Sequence, residues 1–213
     1  MYKLIIRILV WIHNFSYRLI GILVIKENGG IHPKHKILNY YEFFLNNISS
    51  SDKILDIGCG NGACTNAVAK KVAKVVGIDI SKNNIKMAKE RFSNENLEYI
   101  VGDATAYEFK ENFDVIVLSN VLEHIENRQN FLEKIKKLAP KILIRVPLLT
   151  RDWLAIYEKE KGLEYRLDKT HFIEYSEESF RDEINKAGLK IESFYVKFGE
   201  LYSIIKINLN AGL

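Results

Sequence analysis

Short runs rich in Val, Ile and Leu alternate with helical stretches along most of the chain, and this alternation restricts the fold more than any other feature. The runs that predict strands are Lys53–Ile57, Val75–Ile78, Leu97–Val101, Asp114–Leu118 and Lys141–Val146. The stretches that predict helices are Lys34–Asn47, Ala63–Lys71, Asn83–Phe92, Arg128–Leu138 and Glu177–Ala187. Strands that are joined through helices run parallel. The predicted fold class is therefore α/β, with a doubly wound and mostly parallel sheet.

The last part of the chain predicts a change of strand direction. Two runs, Lys190–Phe198 and Leu201–Asn208, are joined by Gly199-Glu200, a short connection typical of a β-hairpin. Gly188 stands where a glycine commonly ends a helix. We therefore expect the sheet to end with an antiparallel strand.

The length and the charge of the chain exclude several classes of protein. Its 213 residues are enough for one domain with a sizeable core. Residues 1–30 carry four basic residues and one acidic residue, whereas residues 31–213 carry 27 basic and 26 acidic residues. A nearly neutral globular part argues against a nucleic-acid partner. We predict an N-terminal helical extension over residues 1–30 and one domain over residues 31–213.

Cysteine usage points to a reducing compartment. Cys59 and Cys64 are too few for a disulfide framework or a four-cysteine zinc site. No spacing of His, Cys, Asp and Glu predicts a metal site. The expected location is the cytoplasm.

The N-terminal segment, residues 2–25, is apolar but interrupted by polar side chains. Its longest run without a charged residue is Ile8–Tyr17, shorter than the roughly 20 residues of a membrane-spanning helix, and no secretory cleavage site follows. At about 100° per residue, Lys3, Arg7 and Arg18 share one narrow face, which predicts a basic amphipathic helix. Two interpretations stay open: a helix in a membrane interface, or a helix packed on protein.

A glycine loop and three acidic residues accompany the first three predicted strands. Gly58 and Gly60 lie at the turn into a helix, where glycine lets a ligand approach the backbone closely. Asp56 precedes the loop, and Asp79 and Asp103 follow the second and third strands. Carboxylates repel a pyrophosphate but accept hydrogen bonds from ammonium, ribose and aminopurine groups. The pattern therefore fits S-adenosylmethionine better than a dinucleotide.

Four motifs extend this pattern: LDIGCGNG (Leu55–Gly62), VVGIDIS (Val75–Ser81), VGDA (Val101–Ala104) and FDVIVLSNVLEHI (Phe113–Ile125). With them the chain resembles the class I S-adenosylmethionine-dependent methyltransferase family, in its small-molecule branch. The resemblance implies a seven-stranded, Rossmann-like sheet and S-adenosylmethionine as cofactor. It also implies a set of cofactor-binding residues: Asp56, Gly58, Cys59, Gly60, Asp79, Ile80, Asp103, Ala104, Ser119, Asn120 and His124.

Substrate groups are expected in Pro147–Tyr175, since a 29-residue segment is too long for a simple turn. The predicted substrate-binding residues are Arg151, Trp153, Tyr165, Arg166, Tyr175 and, far upstream, His35. The alternative for this segment is a surface helix with its charges in water.

His171 is the predicted general base. The unperturbed pKa of an imidazole lies near neutrality, and a hydroxyl acceptor must lose a proton. Related small-molecule methyltransferases also often carry a histidine before the last helix. The alternative is a histidine that only bonds to the neighbouring loop.

These features predict an enzyme that transfers a methyl group from S-adenosylmethionine to a small-molecule acceptor. We favour a sugar or a lipid-linked glycan, because the long segment offers aromatic and carboxylate side chains. The alternatives are a quinone-type or other lipid acceptor and a non-catalytic, cofactor-binding scaffold. The expected location is the cytoplasm, at the inner membrane surface if residues 2–25 bind lipid. A homo-oligomer stays open.

Overall fold

The computed structural model describes residues 2–29 and 32–207. The chain divides into two compact units, one ending at Glu42 and the other beginning at Phe43. The domain boundary predicted between residues 30 and 31 falls on residues outside the described ranges, and it stays a prediction.

The first unit is helical. Helix α1 comprises Tyr2–Glu27 and α2 comprises Lys34–Leu38, while α3, Tyr41–Asn46, begins in the first unit and continues in the second. The predicted helix Lys34–Asn47 is thus divided in two. The break lies at Asn39, whose φ of 45° is left-handed and cannot continue an α-helix.

Helix α1 has no buried residue. Among the described residues it is the one helix that is long and apolar enough to cross a membrane, a test that an N-terminal signal sequence would also pass. Its 26 residues correspond to about 39 Å of helix. The sequence predicted a non-spanning helix because its longest uncharged run, Ile8–Tyr17, is short. The whole helix is nevertheless long enough to cross a bilayer, so its length does not show whether it lies on the membrane or crosses it.

The second unit contains a seven-stranded sheet in the order β3-β2-β1-β4-β5-β7-β6. The strands are β1 (Lys53–Ile57), β2 (Lys74–Asp79), β3 (Leu97–Val101), β4 (Val115–Ser119), β5 (Lys141–Pro147), β6 (Lys190–Lys197) and β7 (Glu200–Lys206). The first five strands are parallel to one another, whereas β7 is antiparallel to both β5 and β6. The predicted fold class is confirmed, including its antiparallel end.

Helices separate the strands in the predicted order. They are α4 (Ala63–Ala69), α5 (Lys82–Arg91), α6 (Arg128–Ile135), α7 (Trp153–Glu160) and α8 (Glu177–Lys186). Helix α8 begins with a reciprocal capping box between Ser176 and Ser179. It ends before Gly188, whose φ of 66° is the left-handed conformation expected after a helix.

The central strands β1, β4 and β5 are almost entirely buried. A parallel strand that is covered on both faces reads as an unbroken apolar run, which is why these strands could be located from the sequence. The close-packed core holds their carboxyl ends at one edge of the sheet in fixed positions.

The turn of the β6–β7 hairpin lies one residue earlier than predicted. Its two central residues are Phe198 and Gly199, with φ of 52° and 72°, rather than Gly199-Glu200. Positive φ at both central residues is the pattern of a type I′ turn, which matches the twist of antiparallel strands. Glu200 instead belongs to β7 and pairs with Pro147 of β5. The predicted strand end at Asn208 lies outside the described residues.

Candidate functional site

A cavity of about 820 Å³ opens at the carboxyl ends of β1 to β4. Its wall consists of Ile57, Gly58, Ile78, Asp79, Ile80, Gly102, Asp103, Ala104, Thr105, Asn120, Val121, His124, Ile125, Glu126, Asn127, Asn130, Phe131 and Phe172. In open α/β sheets, ligands bind in the crevice outside these strand ends, where the strand order reverses. The reversal lies here between β1 and β4, and the cavity volume is typical of a small-molecule site.

Gly58 shapes the floor of the cavity. Its φ is 67°, and a Cβ atom at this position would lie 2.6 Å from Cγ2 of Val121. The backbone amides of Gly58 and Cys59 both donate to the carbonyl oxygen of Ile78, at 2.8 and 3.1 Å. The turn is therefore tied to β2, and only glycine fits its first position.

Asp79 is held at the end of β2 by three donors. Its Oδ1 accepts from the backbone amide of Ser81 (2.8 Å) and from the Asn84 side chain (3.2 Å), while Oδ2 accepts from the amide of Gly60 (2.9 Å). A carboxylate has about four acceptor positions. Asp79 is therefore rigidly placed and can still accept from a ligand hydroxyl.

Asp103 lies at the neighbouring strand end. Its Oδ1 accepts from both the backbone amide and the hydroxyl of Thr105, at 2.9 and 2.7 Å. Because both bonds use Oδ1, the acceptor capacity of Oδ2 is available to a ligand amine.

Some predicted cofactor residues lie outside the cavity wall: Asp56, Cys59, Gly60 and Ser119. Asp56 is 1% exposed and accepts a 2.7 Å hydrogen bond from the Thr65 hydroxyl. Its burial raises the pKa of this carboxyl to about 7. Burial likewise raises the pKa of the Cys59 thiol, which suits a small packing residue rather than a nucleophile. Asp79 and Asp103 therefore line the cavity, whereas Asp56 of β1 is buried outside the cavity wall.

Asn120, which follows β4, has a φ of 56° and lines the cavity. Arg145 fixes it twice: its carbonyl oxygen accepts from the Asn120 amide (2.8 Å), and its Nε donates to Asn120 Oδ1 (2.9 Å). The same Nε lies 2.6 Å from Glu200 Oε2. Sequence reasoning missed this buried Arg145–Glu200 pair, since β5 and β7 meet only in the folded sheet.

His124 lines the cavity and is joined to the segment after α7. Its Nδ1 lies 2.9 Å from the hydroxyl of Thr170, and that hydroxyl donates to Asp168 Oδ1, also at 2.9 Å. Because the one hydroxyl proton goes to Asp168, the Thr170 oxygen accepts from Nδ1, which assigns the proton of His124 to Nδ1. Burial, followed by the nearby His171, lowers the pKa of His124. The imidazole is therefore neutral at pH 7, with a lone pair on Nε2.

His171 is not part of the cavity wall. It is 4% exposed, and its Nδ1 lies 2.8 Å from Glu174 Oε1. Its ring packs edge-on against that of His124, with 4.5 Å between the centroids. Glu174 in turn accepts from Arg151, at 2.7 Å. This arrangement supports His124 from behind and separates the predicted base from the cavity.

Glu123, beside His124, is fully buried, and neither carboxyl oxygen has a hydrogen-bond partner among the described residues. Ligating atoms of Glu123, His124 and His171 lie within 4.8 Å of one another, so these residues could hold a metal ion. No spacing in the sequence indicated this cluster. The expectation of no metal site stays a prediction.

Glu123→Gln tests the buried carboxyl. Burial raises the pKa of Glu123 to about 8, so the folded state binds a proton that the unfolded state has released once the pH exceeds 5. The wild-type protein therefore loses stability as the pH rises from 5 to 8. A glutamine does not ionise, so the stability of the variant relative to the wild type is expected to rise by roughly 3 to 4 kcal/mol between pH 5 and pH 8. Urea unfolding at several pH values measures the difference.

Glu126→Gln, at an exposed neighbouring glutamate, is the matched control. Parallel stability curves for Glu123→Gln and the wild type from pH 5 to pH 8 would contradict the assigned burial effect.

Of the predicted substrate residues in the second unit, none lies in the cavity wall. Tyr175 is fully buried, and its hydroxyl donates to Glu183 at 2.6 Å. It is therefore a core residue and not the substrate contact that the sequence predicted. Arg166 pairs with Glu164 at 2.8 Å, and Trp153 is 74% exposed at the start of α7.

Two more of these residues have structural contacts. Arg151 donates to the carbonyl oxygen of Tyr165 at 2.8 Å, which fixes both within the segment after β5. His35 belongs to the first unit, where its Nδ1 contacts the hydroxyls of Tyr40 and Tyr41. Phe172 was missed, although it follows His171 directly; it is the one residue of the Pro147–Tyr175 segment in the wall.

Part of the chain matches a known family. Residues 55–141 match a family described as a methyltransferase domain. This match runs from β1 to the start of β5 and includes every residue of the cavity wall except Phe172.

Curated relatives carry related names. The mitochondrial ubiquinone biosynthesis O-methyltransferase of Schizosaccharomyces pombe is 39% identical over 99 residues, which are 42% of this chain and 36% of the relative. The ubiquinone biosynthesis O-methyltransferase of Pelagibacter ubique is 37% identical over 138 residues, 61% of this chain and 51% of the relative. The chain thus spans about half, or less, of the length of these relatives.

A solved structure supports the fold assignment. Magnesium protoporphyrin IX methyltransferase from Synechocystis, determined with bound S-adenosylhomocysteine, superposes with a TM-score of 0.60 at 15% identity. The superposition covers 92% of this chain and 84% of that one. At this identity the likeness concerns the fold.

Proposed function

We propose that the chain is an S-adenosylmethionine-dependent methyltransferase that transfers a methyl group to a hydroxyl of a small, quinone-type acceptor. A quinone-type acceptor is one of the alternatives that the sequence left open beside the sugar or glycan. The names of the curated relatives support it, and they give no support to the sugar or glycan favoured first.

The charge of the cavity wall is the observation that carries the proposal. Asp79, Asp103 and Glu126 contribute three acidic side chains, and the wall contains neither lysine nor arginine. Such a wall repels the pyrophosphate of a dinucleotide. It favours a ligand that combines a sulfonium, an ammonium, a ribose and an aminopurine, and the residues present therefore fit S-adenosylmethionine.

Two acids would orient the cofactor. Asp79, fixed by two backbone amides and the Asn84 side chain, accepts from a ribose hydroxyl, and Asp103 accepts through Oδ2 from the adenine amine. Gly58 leaves room for the ligand beside the backbone. When bound, S-adenosylmethionine would supply a methyl group on a sulfonium, from which the neutral thioether S-adenosylhomocysteine is a good leaving group.

His124 is the residue that we assign to the acceptor proton. As the acceptor oxygen gains the methyl group, its O–H proton moves to Nε2 of His124, which Thr170 and Asp168 hold as the unprotonated nitrogen. His171 and Glu174 keep the imidazole in place. The predicted catalytic role of His171 is thereby replaced by a positioning role.

The cavity wall also offers apolar side chains to a flat acceptor. Val121, Ile125, Phe131 and Phe172 line it together with the His124 ring. Apolar and aromatic side chains with one polar group at the reacting atom are the usual composition of a small-molecule pocket. This composition supports a hydroxylated aromatic ring better than a polyhydroxylated sugar.

The test is a transfer assay with S-adenosylmethionine labelled in the methyl group. Calorimetry first establishes that the protein binds the cofactor. Phenols with short isoprenoid tails are then compared with nucleotide sugars as acceptors. We expect label in the phenols. Binding of the cofactor without transfer to any phenol would favour the scaffold alternative, and transfer to the sugars alone would restore the first interpretation.

Three further expectations belong to this proposal. The protein acts in the cytoplasm, contacts a membrane surface through residues 2–25 and has no nucleic-acid partner. Its homo-oligomeric state stays a prediction.

A further inference from the structure

Helix α1 presents an apolar arc to solvent, interrupted by Ser16 and ended by Lys26 and Glu27. At about 100° per residue, the arc spans about 160° of the helix surface. It consists of Leu4, Ile5, Ile8, Leu9, Ile12, Phe15, Leu19, Ile20, Ile22 and Leu23. These ten side chains are between 43% and 65% exposed. An exposed apolar surface of this extent marks an interaction site, since isolated exposed side chains do not line up along more than five helical turns.

The other side of α1 is polar and cationic. Lys3, Arg7, Asn14 and Arg18 share one narrow face, and no acidic residue lies among them. Over residues 2–29, four basic residues stand against Glu27 alone, a net charge of +3. Partial cover falls on this side of α1, where Val10, Asn14, Gly21, Val24 and Ile25 are half-buried, and not on the apolar arc.

We propose that α1 lies flat in the interface of an anionic lipid bilayer, with the apolar arc among the acyl chains and the cations at the headgroups. An apolar arc combined with a cationic face is the surface that anionic lipid complements, through area burial and charge together. Around the helix axis, Trp11 lies between Arg18 and the apolar arc. In a helix lying flat, this position is at the boundary between headgroups and acyl chains, where tryptophan is enriched.

A flat placement fits α1 better than a spanning one. The segment between Arg7 and Lys26 would have to hold Arg18, with His13 and Asn14, inside the hydrocarbon. Charged side chains at that depth are rare and face a protein interior or water. Lying flat keeps all of them at the headgroups.

A second copy of the chain is a poorer partner for the arc. Two copies that meet through it would bring two segments of charge +3 together without acidic residues to balance them. An anionic bilayer removes that repulsion. The inference agrees with a lipid-soluble acceptor but does not depend on the proposed methyl transfer.

Sedimentation of the full chain with vesicles tests the proposal. Vesicles of phosphatidylcholine alone are compared with vesicles that also contain phosphatidylglycerol. We expect binding to the anionic vesicles, weakened roughly thirtyfold by Arg7→Gln/Arg18→Gln, which removes two cations. Equal binding to both kinds of vesicle, or none to either, would overturn the proposal.

A pair of double variants distinguishes the two faces of α1. Ile12→Ser/Leu19→Ser, at the centre of the arc, is expected to abolish sedimentation, whereas Val10→Ser/Ile25→Ser, which replaces two half-buried apolar residues on the opposite side, retains it. Equal loss in both variants, with protein that resists extraction by alkaline carbonate, would indicate a spanning helix. A change of oligomeric state in Ile12→Ser/Leu19→Ser, without vesicle binding by the parent, would indicate a protein partner.

Fluorescence reports on the depth of α1. The chain has two tryptophans, so Trp153→Phe leaves Trp11 as the reporter. A blue shift with anionic vesicles, and strong quenching by lipids brominated near the headgroups, are expected. Strongest quenching by bromine at the acyl-chain ends would contradict an interfacial position.

Discussion

Asp79→Ala is expected to weaken the binding of S-adenosylmethionine about a hundredfold, which corresponds to about 2.7 kcal/mol. The reason is the loss of charge-assisted hydrogen bonds to the ribose, each worth about 1.5–3 kcal/mol. The substitution also removes the acceptor of the Gly60 amide, so the glycine loop loses one of its hydrogen bonds to β2. Titration calorimetry of the purified full chain measures the effect.

The control for this prediction separates binding from folding. Asp152→Ala removes a carboxylate that caps α7 and lies outside the cavity wall, so it changes charge equally without touching the site. Asp79→Asn keeps one acceptor oxygen and is expected to bind with intermediate affinity. Unchanged affinity in Asp79→Ala, in protein that unfolds like the wild type, would remove the cofactor assignment.

His124→Gln is expected to lower the rate of methyl transfer to a phenolic acceptor by about 10²–10⁴, the usual contribution of a positioned general base. The affinity for S-adenosylmethionine should change far less, because the effect concerns the acceptor proton. Thr170→Val removes the oxygen that accepts from Nδ1 and should cause a smaller loss of rate. Single-turnover kinetics with saturating cofactor measures both.

His171→Gln is the positioning variant for comparison. It should lower the rate less than His124→Gln and should be partly rescued by raising the pH, since deprotonation of the acceptor in solution bypasses the base. Dialysis against a chelator decides whether the nearby Glu123, His124 and His171 act through a metal ion. Loss of activity on dialysis, restored by a divalent cation, would contradict the assignment of His124 as base.

The fold was predictable because each element carries a local signal. Strands β1, β4 and β5 are buried on both faces and appear as unbroken apolar runs, and Gly188 marks the end of α8. The errors were also local. The sequence predicted the hairpin turn at Gly199-Glu200, one residue after its position at Phe198-Gly199. Glu200 belongs to β7 because it pairs with β5, a contact that local turn propensity does not reveal.

The site was predictable where it consists of strand ends. Asp79 and Asp103 follow neighbouring parallel strands, whose carboxyl ends must meet at one edge, so the motifs locate these residues at the same cavity. The acceptor side was not predictable. His124 and Thr170 are 46 residues apart, and nothing in the spacing indicates their contact.

Sequence alone thus established the parallel α/β sheet, the glycine turn, the acids at the strand ends and the amphipathic pattern of residues 2–25. These follow from periodicity and from residue chemistry within a few positions. The folded chain alone showed that Tyr175 belongs to the core, that His171 stands behind His124, and that Glu123 is buried without a partner. Such relations depend on how distant segments pack, because burial and hydrogen bonding are properties of three-dimensional neighbours and not of sequence neighbours.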